Sequence, residues 1–171
     1  LLRIPLKVHG GKNVKFKQFQ FLKNEAIKKL TALEQEPLRL RKRTIEECLS
    51  TDAVMLAYIG DAVYSMYVRE RVVQMNITKV QVLHTIVTEF ICAKSQAKVL
   101  LEIEDTFTEQ EQAIARRARN SNVNVPKSSS VQEYRSSTAF EAVLGFLYET
   151  RQEERLQDVM KQAFSITLRG M

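Results

Sequence analysis

The sequence predicts an all-α fold, a helical bundle carrying a basic N-terminal arm. Apolar residues recur at helical spacing along most of the chain, while no segment shows the apolar–polar alternation of a half-buried strand. There is no internal repeat. At 171 residues the chain amounts to one domain, or one domain with an arm. A domain of that size buries a substantial core without disulfides or metals.

Taken in order, residues 1–17 read as irregular or extended, because Pro5 and Gly10-Gly11 break helices. A helix is expected over 18–35, with Phe19, Leu22, Ala26, Leu30 and Leu33 on one side and lysines opposite; Pro37 ends it. Arg39-Leu40-Arg41-Lys42-Arg43 is a basic link. Ser50 or Thr51 caps a central helix running to about Met75, with Asp52 in its first turn. Its apolar stripe is read as Val54, Tyr58, Met66 and Val73, widened by Met55, Ile59, Ala62 and Val63. A short helix from Thr78 passes through Val80, Leu83 and Val87, and another spans 91–103. Thr108 and Glu111 form a capping box opening a helix to Arg119. The polar stretch 121–130 is the one long loop of the body, and long loops in compact domains are usually functional or disordered. A second apolar helix begins at Val131 or Gln132 and runs through Tyr148, and a last one covers 152–164.

Charge divides the chain into an arm, 1–43, and a body, 44–171. The arm holds twelve basic residues against three acidic ones, +9; the body holds fourteen against seventeen, −3. A basic arm on a near-neutral body suggests a polyanionic partner, most often nucleic acid. The chain opens without an initiator methionine, so a processed or truncated start is expected; residues 1–24 lack any acid, as organelle transit peptides tend to, and a mitochondrial or plastid location is expected, with bacterial-type cytoplasm as the alternative. No apolar run approaches membrane-spanning length. Cys48 and Cys92 match no metal-ligand spacing and read as reduced thiols, and the lone His84 reads as structural.

Two apolar helices each carry, within the stretches Leu56–Arg69 and Tyr134–Tyr148, one acid beside an alanine, Asp61 and Glu141. A carboxylate in such surroundings is costly unless paired. Gly60 and Ala62 leave room near Asp61 for a partner: a cation, a buried basic group or hydrogen-bond donors. Spacing alone favours structural pairs with arginines such as Arg69 or Arg135. Should the helices pack together instead, hard oxygen ligands favour magnesium, with manganese possible in its place. Nearby donors strengthen that second reading. Lys94, Arg116, Arg117, Arg119, Asn120, Lys127 and Arg135 suit phosphates, and Ser128 to Ser130, Ser136, Ser137 and Thr138 offer small hydroxyls. Without an aromatic-rich strand for stacking bases, double-stranded RNA is the better match.

Four segments resemble the ribonuclease III family, most closely its short branch, Mini-ribonuclease III. They are Leu56-Ala57-Tyr58-Ile59-Gly60-Asp61-Ala62, Ala93-Lys94-Ser95-Gln96-Ala97, Arg117-Ala118-Arg119-Asn120 and Tyr134-Arg135-Ser136-Ser137-Thr138-Ala139-Phe140-Glu141-Ala142. Order and spacing agree from about Leu49 to Phe164; the arm lies outside. The resemblance implies an all-α dimer, formed with a second copy or a related chain, whose cleft takes duplex RNA. It implies that Asp61 and Glu141 are catalytic acids holding Mg2+, that Tyr58 packs across the dimer interface, and that Tyr134 belongs with the RNA-contacting residues. The loop 121–130 matches the segment that grips the duplex. Cleavage to a 5′-phosphate and a 3′-hydroxyl on a large-subunit ribosomal RNA precursor is implied as well. Two family acids are missing, replaced by Ala57 and Thr138. The rival reading is a non-catalytic, rRNA-binding protein of an organellar large ribosomal subunit, which the basic arm favours and the retained acids oppose.

Overall fold

A computed structural model describes residues 12–34, 42–122 and 129–171. The chain separates into two units, Leu1–Arg41 and Lys42–Met171. Within the first, α1 (Lys12–Glu34) begins six residues earlier than expected, so residues 12–17 are helical and not extended. Its side chains from Lys15 to Ala32 are mostly exposed, including Phe16, Phe19, Phe21 and Leu22. The breaks expected at Pro5, Gly10-Gly11 and Pro37, and residues 39–41 of the basic cluster, lie outside the described residues.

The second unit is built from α2 (Ile45–Ser50), α3 (Ala53–Val73), α4 (Val80–Ile91), α5 (Ala93–Ile103), α6 (Glu109–Arg119), α7 (Val131–Glu149) and α8 (Glu153–Arg169). A single 3-10 turn, Glu104–Thr106, follows α5, and no strand occurs among the described residues. The all-α expectation holds.

Local chemistry fixes the helix ends. Thr108 and Glu111 form the expected capping box on α6, and Thr44/Glu47 and Ser130/Glu133 form two more on α2 and α7. Asp52, not Ser50 or Thr51, caps α3: its carboxylate accepts from the Val54 N–H at 3.0 Å. Thr51 instead closes the short α2, which the sequence reading missed. Six residues are too few to show a period.

α7 is the hub. Ser137 to Leu147, apart from Glu141, are all buried, and α3, α5, α6 and α8 pack around them. Tyr64 meets Phe140 edge-on at 5.3 Å between α3 and α7, and Phe90 stacks on Phe164 at 4.5 Å between α4 and α8. Glu111, 1% exposed, is held by Arg155 through two hydrogen bonds of 2.9 and 2.8 Å, tying α6 to α8.

The stripe that α3 buries differs from the one read off the sequence. Ala53, Leu56, Ala57, Gly60, Tyr64, Tyr67 and Val68 face the core, whereas Met55, Tyr58, Met66 and Val73 are exposed. Both sides of α3 are apolar, so periodicity alone cannot choose between them.

Where α3 crosses α7 the two backbones touch. A Cβ on Gly60 would stand 1.8 Å from the Glu141 carbonyl oxygen, and one on Gly145 would stand 1.9 Å from that of Leu56. The space that Gly60 opens is therefore filled by α7 itself and not by a ligand. Alanine is the better helix former by about 1 kcal/mol. Overpacking against immovable backbone costs about 1–3 kcal/mol or more, and it dominates here. Gly60→Ala is expected to lower the urea midpoint substantially. Gly170→Ala, whose added Cβ would meet nothing nearer than 3.5 Å, should be neutral or slightly stabilising; equal effects of the two would contradict this packing.

Candidate active site

The glycine contact brings together the two acids that sequence spacing could not relate. Asp61 follows Gly60 directly, and Glu141 is the residue whose carbonyl Gly60 faces. Both side chains are half-buried. Burial first, and then the negative charge of Asp61, pushes the Glu141 carboxyl up to about 8. Burial also raises Asp61, and the charge on Arg69 opposes that rise. Neither acid forms an ion pair among the described residues. Arg69 instead donates to the Ser65 carbonyl and hydroxyl, and Arg135 is exposed. The structural pairing that spacing favours is thus not what is found.

Two further groups adjoin the pair. Tyr134 lies two turns before Glu141 on the same face of α7, and its phenol is raised by burial and then by the charges on Glu141 and Asp61. Gln96 of α5 is 1% exposed, and its amide favours the charged form of Glu141. The sequence reading gave Gln96 no role, although a glutamine on the buried stripe with Ala97 and Leu100 was the available signal. Thr138, standing where the family carries an acid, is buried and donates to the Tyr134 carbonyl at 2.9 Å. Among the described residues no third His, Cys, Asp or Glu joins the two carboxylates. A half-buried, oxygen-only pair with high proton affinity and no ion pair among the described residues fits a hard divalent cation that keeps several of its waters.

The expected phosphate donors divide into two sets. Lys94, Arg116, Asn120 and Arg135 are exposed. Others are used inside the fold. Arg117 donates to the carbonyls of Leu49 and Thr51 at the end of α2, and Arg119 pairs with Glu104 at 2.6 Å. Ser137, like Thr138, is buried and donates to the Tyr134 carbonyl. Arg117, Ser137 and Thr138 therefore each have a donor engaged by a backbone carbonyl. Lys127 and Ser128 lie outside the described residues, as does most of the loop expected to grip a duplex.

The fold and this acid pair define a class, and comparison with known proteins gives its name. The family model described as the Ribonuclease III domain matches residues 54–152. The chain belongs to the ribonuclease III family, within its Mini-ribonuclease III branch. It is 40% identical over 124 residues to Mini-ribonuclease 3 of Thermoanaerobacter sp. (strain X514), covering 72% of this chain and 87% of that protein. It is 40% identical over 123 residues to Mini-ribonuclease 3 of Symbiobacterium thermophilum, covering 71% and 95%. A crystal structure of a Fusobacterium nucleatum protein superposes with a TM-score of 0.63 at 29% identity, covering 66% of this chain and 92% of that one. The class is that of ribonuclease III-type endoribonucleases. The mitochondrial or plastid location expected from the acid-free start is corrected, because these relatives are bacterial. The Thermoanaerobacter and Symbiobacterium relatives bear the name of a ribonuclease, which leaves the ribosomal-protein reading without support. No described helix is long and apolar enough to cross a membrane.

The raised Glu141 carboxyl has a measurable consequence. With its folded value about 8 against an ordinary 4.5, the folded state holds the proton more tightly than the unfolded chain does. The stability this gives is complete below about 4.5 and is lost as pH rises through about 8. In chelator, Glu141→Gln should therefore melt progressively above the wild type as pH goes from 5 to 9, at about 2–4 °C per kcal/mol. A melting difference independent of pH would contradict the assignment.

Proposed function

We propose that the protein is a divalent-metal-dependent endoribonuclease that cuts double-stranded RNA, with a large-subunit ribosomal RNA precursor as its substrate. The observation that carries this is the meeting of Asp61 and Glu141, both raised in proton affinity and neither in an ion pair among the described residues. Asp61 and Glu141 hold a Mg2+ ion, with Mn2+ able to replace it, through their carboxylate oxygens. Bound there, the cation supplies a water of lowered pKa and offsets charge on the phosphate. Glu141 holds a proton at neutral pH when no cation is present and gives it up to become a ligand, so metal affinity rises with pH. The exposed Lys94, Arg116, Asn120 and Arg135 bind the phosphate backbone on either side. Tyr134, placed by both acids, borders the reacting phosphate.

The active form in this reading is a dimer with a second copy of the chain. Support comes from the apolar side that α3 leaves outward: Tyr58 is 70% exposed, with Met55, Met66 and Val73 beside it. A contiguous exposed apolar strip of this kind marks an interaction face. The face lies on the helix that carries Asp61, so dimer formation and site geometry share one element.

The test is cleavage of a duplex stem from a large-subunit rRNA precursor by the purified protein. Cleavage should require Mg2+ and stop in chelator. Asp61→Asn should retain the fold and lose most of its cleavage activity, because the cation it helps to hold supplies the activated water and the charge compensation. Unchanged cleavage by that variant, or cleavage in chelator, would remove the proposal.

A further inference from the structure

The apolar side chains of α1 have no role in what precedes. α1 is a helix of 23 residues, yet Phe16, Phe19 and Leu30 are 61%, 59% and 65% exposed, and Leu22 and Ile27 lie open beside them. Helices in proteins draw most of their stability from a covered apolar side. The spacing shows what cover this one fits. Phe16, Phe19, Lys23, Ala26 and Leu30 follow at intervals of three, four, three and four residues, the a and d positions of a heptad repeat. In sequence the spacing carries on to Leu33. A period of 3.5 residues matches a second helix wound alongside. Leu22 and Ile27 take the g and e positions, five residues apart, that meet across a parallel pair. In sequence, Lys29 and Glu34 take the next such positions, with opposite charges. Lys23 is the one charged residue on the seam from Phe16 to Leu30. A lysine is costly against a purely apolar surface, whereas a single polar residue at an a position sets register and strand number in coiled coils. Among the described side chains of α1, Phe21 is the one large apolar group on the far side of the helix.

We propose that α1 pairs in parallel with α1 of a second copy of this chain, as a two-stranded coiled coil along Phe16, Phe19, Ala26 and Leu30. Leu22 of each helix covers Ile27 of the partner subunit. A helix of this length pairs weakly by itself, and a dimer of the body makes the pairing intramolecular. For that nearness alone, the inference rests on the dimer reading above.

The experiment is oxidative cross-linking of the full chain, with sedimentation of the wild type alongside. Cys92→Ser removes the more accessible native thiol, since Cys48 is buried. Into that background go either Ala26→Cys, on the seam, or Asn24→Cys, on the outer side. Thiols facing one another at a d position of a parallel pair are within disulfide reach. Ala26→Cys should give a disulfide-linked dimer and Asn24→Cys should not; adding Leu30→Glu to Ala26→Cys should abolish the link. Equal linking at the two positions, or none at Ala26, would overturn the proposal and leave the strip to a partner other than a second copy. If the wild type sediments as a dimer and Ala26→Cys does not link, the α1 pairing fails and the α3 face stands. If the wild type sediments as a monomer and Ala26→Cys still links, the pairing stands and the α3 reading fails.

Discussion

The contact on which the rest depends is the backbone crossing of α3 and α7 at Gly60 and Gly145. No side chain separates the helices there, so their axes come closer than any other residue pair would allow. That closeness fixes where Asp61 and Glu141 lie, because each acid is at or next to the touching residues. The aromatic contact of Tyr64 with Phe140 holds the same crossing from the next turn of each helix. A helix pair kept apart by larger residues would leave two separate carboxylates, each partly solvated, with little influence on one another.

Once the acids are forced together, the surrounding charges determine what the pair can do. A buried acid pair is relieved either by arginines or by a proton or cation. The body does use arginine in the first way elsewhere: Arg155 holds the buried Glu111, and Arg119 pairs with Glu104. Arg117 is tied to the α2 carbonyls, and Arg69 is turned onto Ser65. None of these guanidinium groups closes an ion pair with Asp61 or Glu141. The pair therefore retains its affinity for a small cation, and the remaining basic side chains stay exposed where a polyanion can reach them.

Much of this was legible in the sequence, for identifiable reasons. An acid set alone in a run of apolar residues is conspicuous, so Asp61 and Glu141 could be picked out, and the Thr108–Glu111 capping box fixed the start of α6. The same box at Ser130–Glu133 was overlooked because its serine ends a run of serines in a loop. The core side of α3 was misassigned because Met55, Tyr58 and Met66 compete with Leu56, Tyr64 and Val68 on equal hydrophobic terms. Ser137, Thr138 and Arg117 look like phosphate ligands by residue type. Only packing reveals that backbone carbonyls take their donors. Gln96 belongs to a family-like segment but carries no role in the sequence, because a neutral amide attracts no electrostatic suspicion and its burial comes from helices packed on α5 from elsewhere in the chain.

The most direct measurement of the central claim is anomalous diffraction at the manganese edge from crystals soaked in Mn2+. The account predicts one peak shared by the Asp61 and Glu141 carboxylates, with metal–oxygen distances of about 2.0–2.4 Å. A peak touching neither carboxylate, or side chains turned away from one another in the loaded crystal, would contradict it.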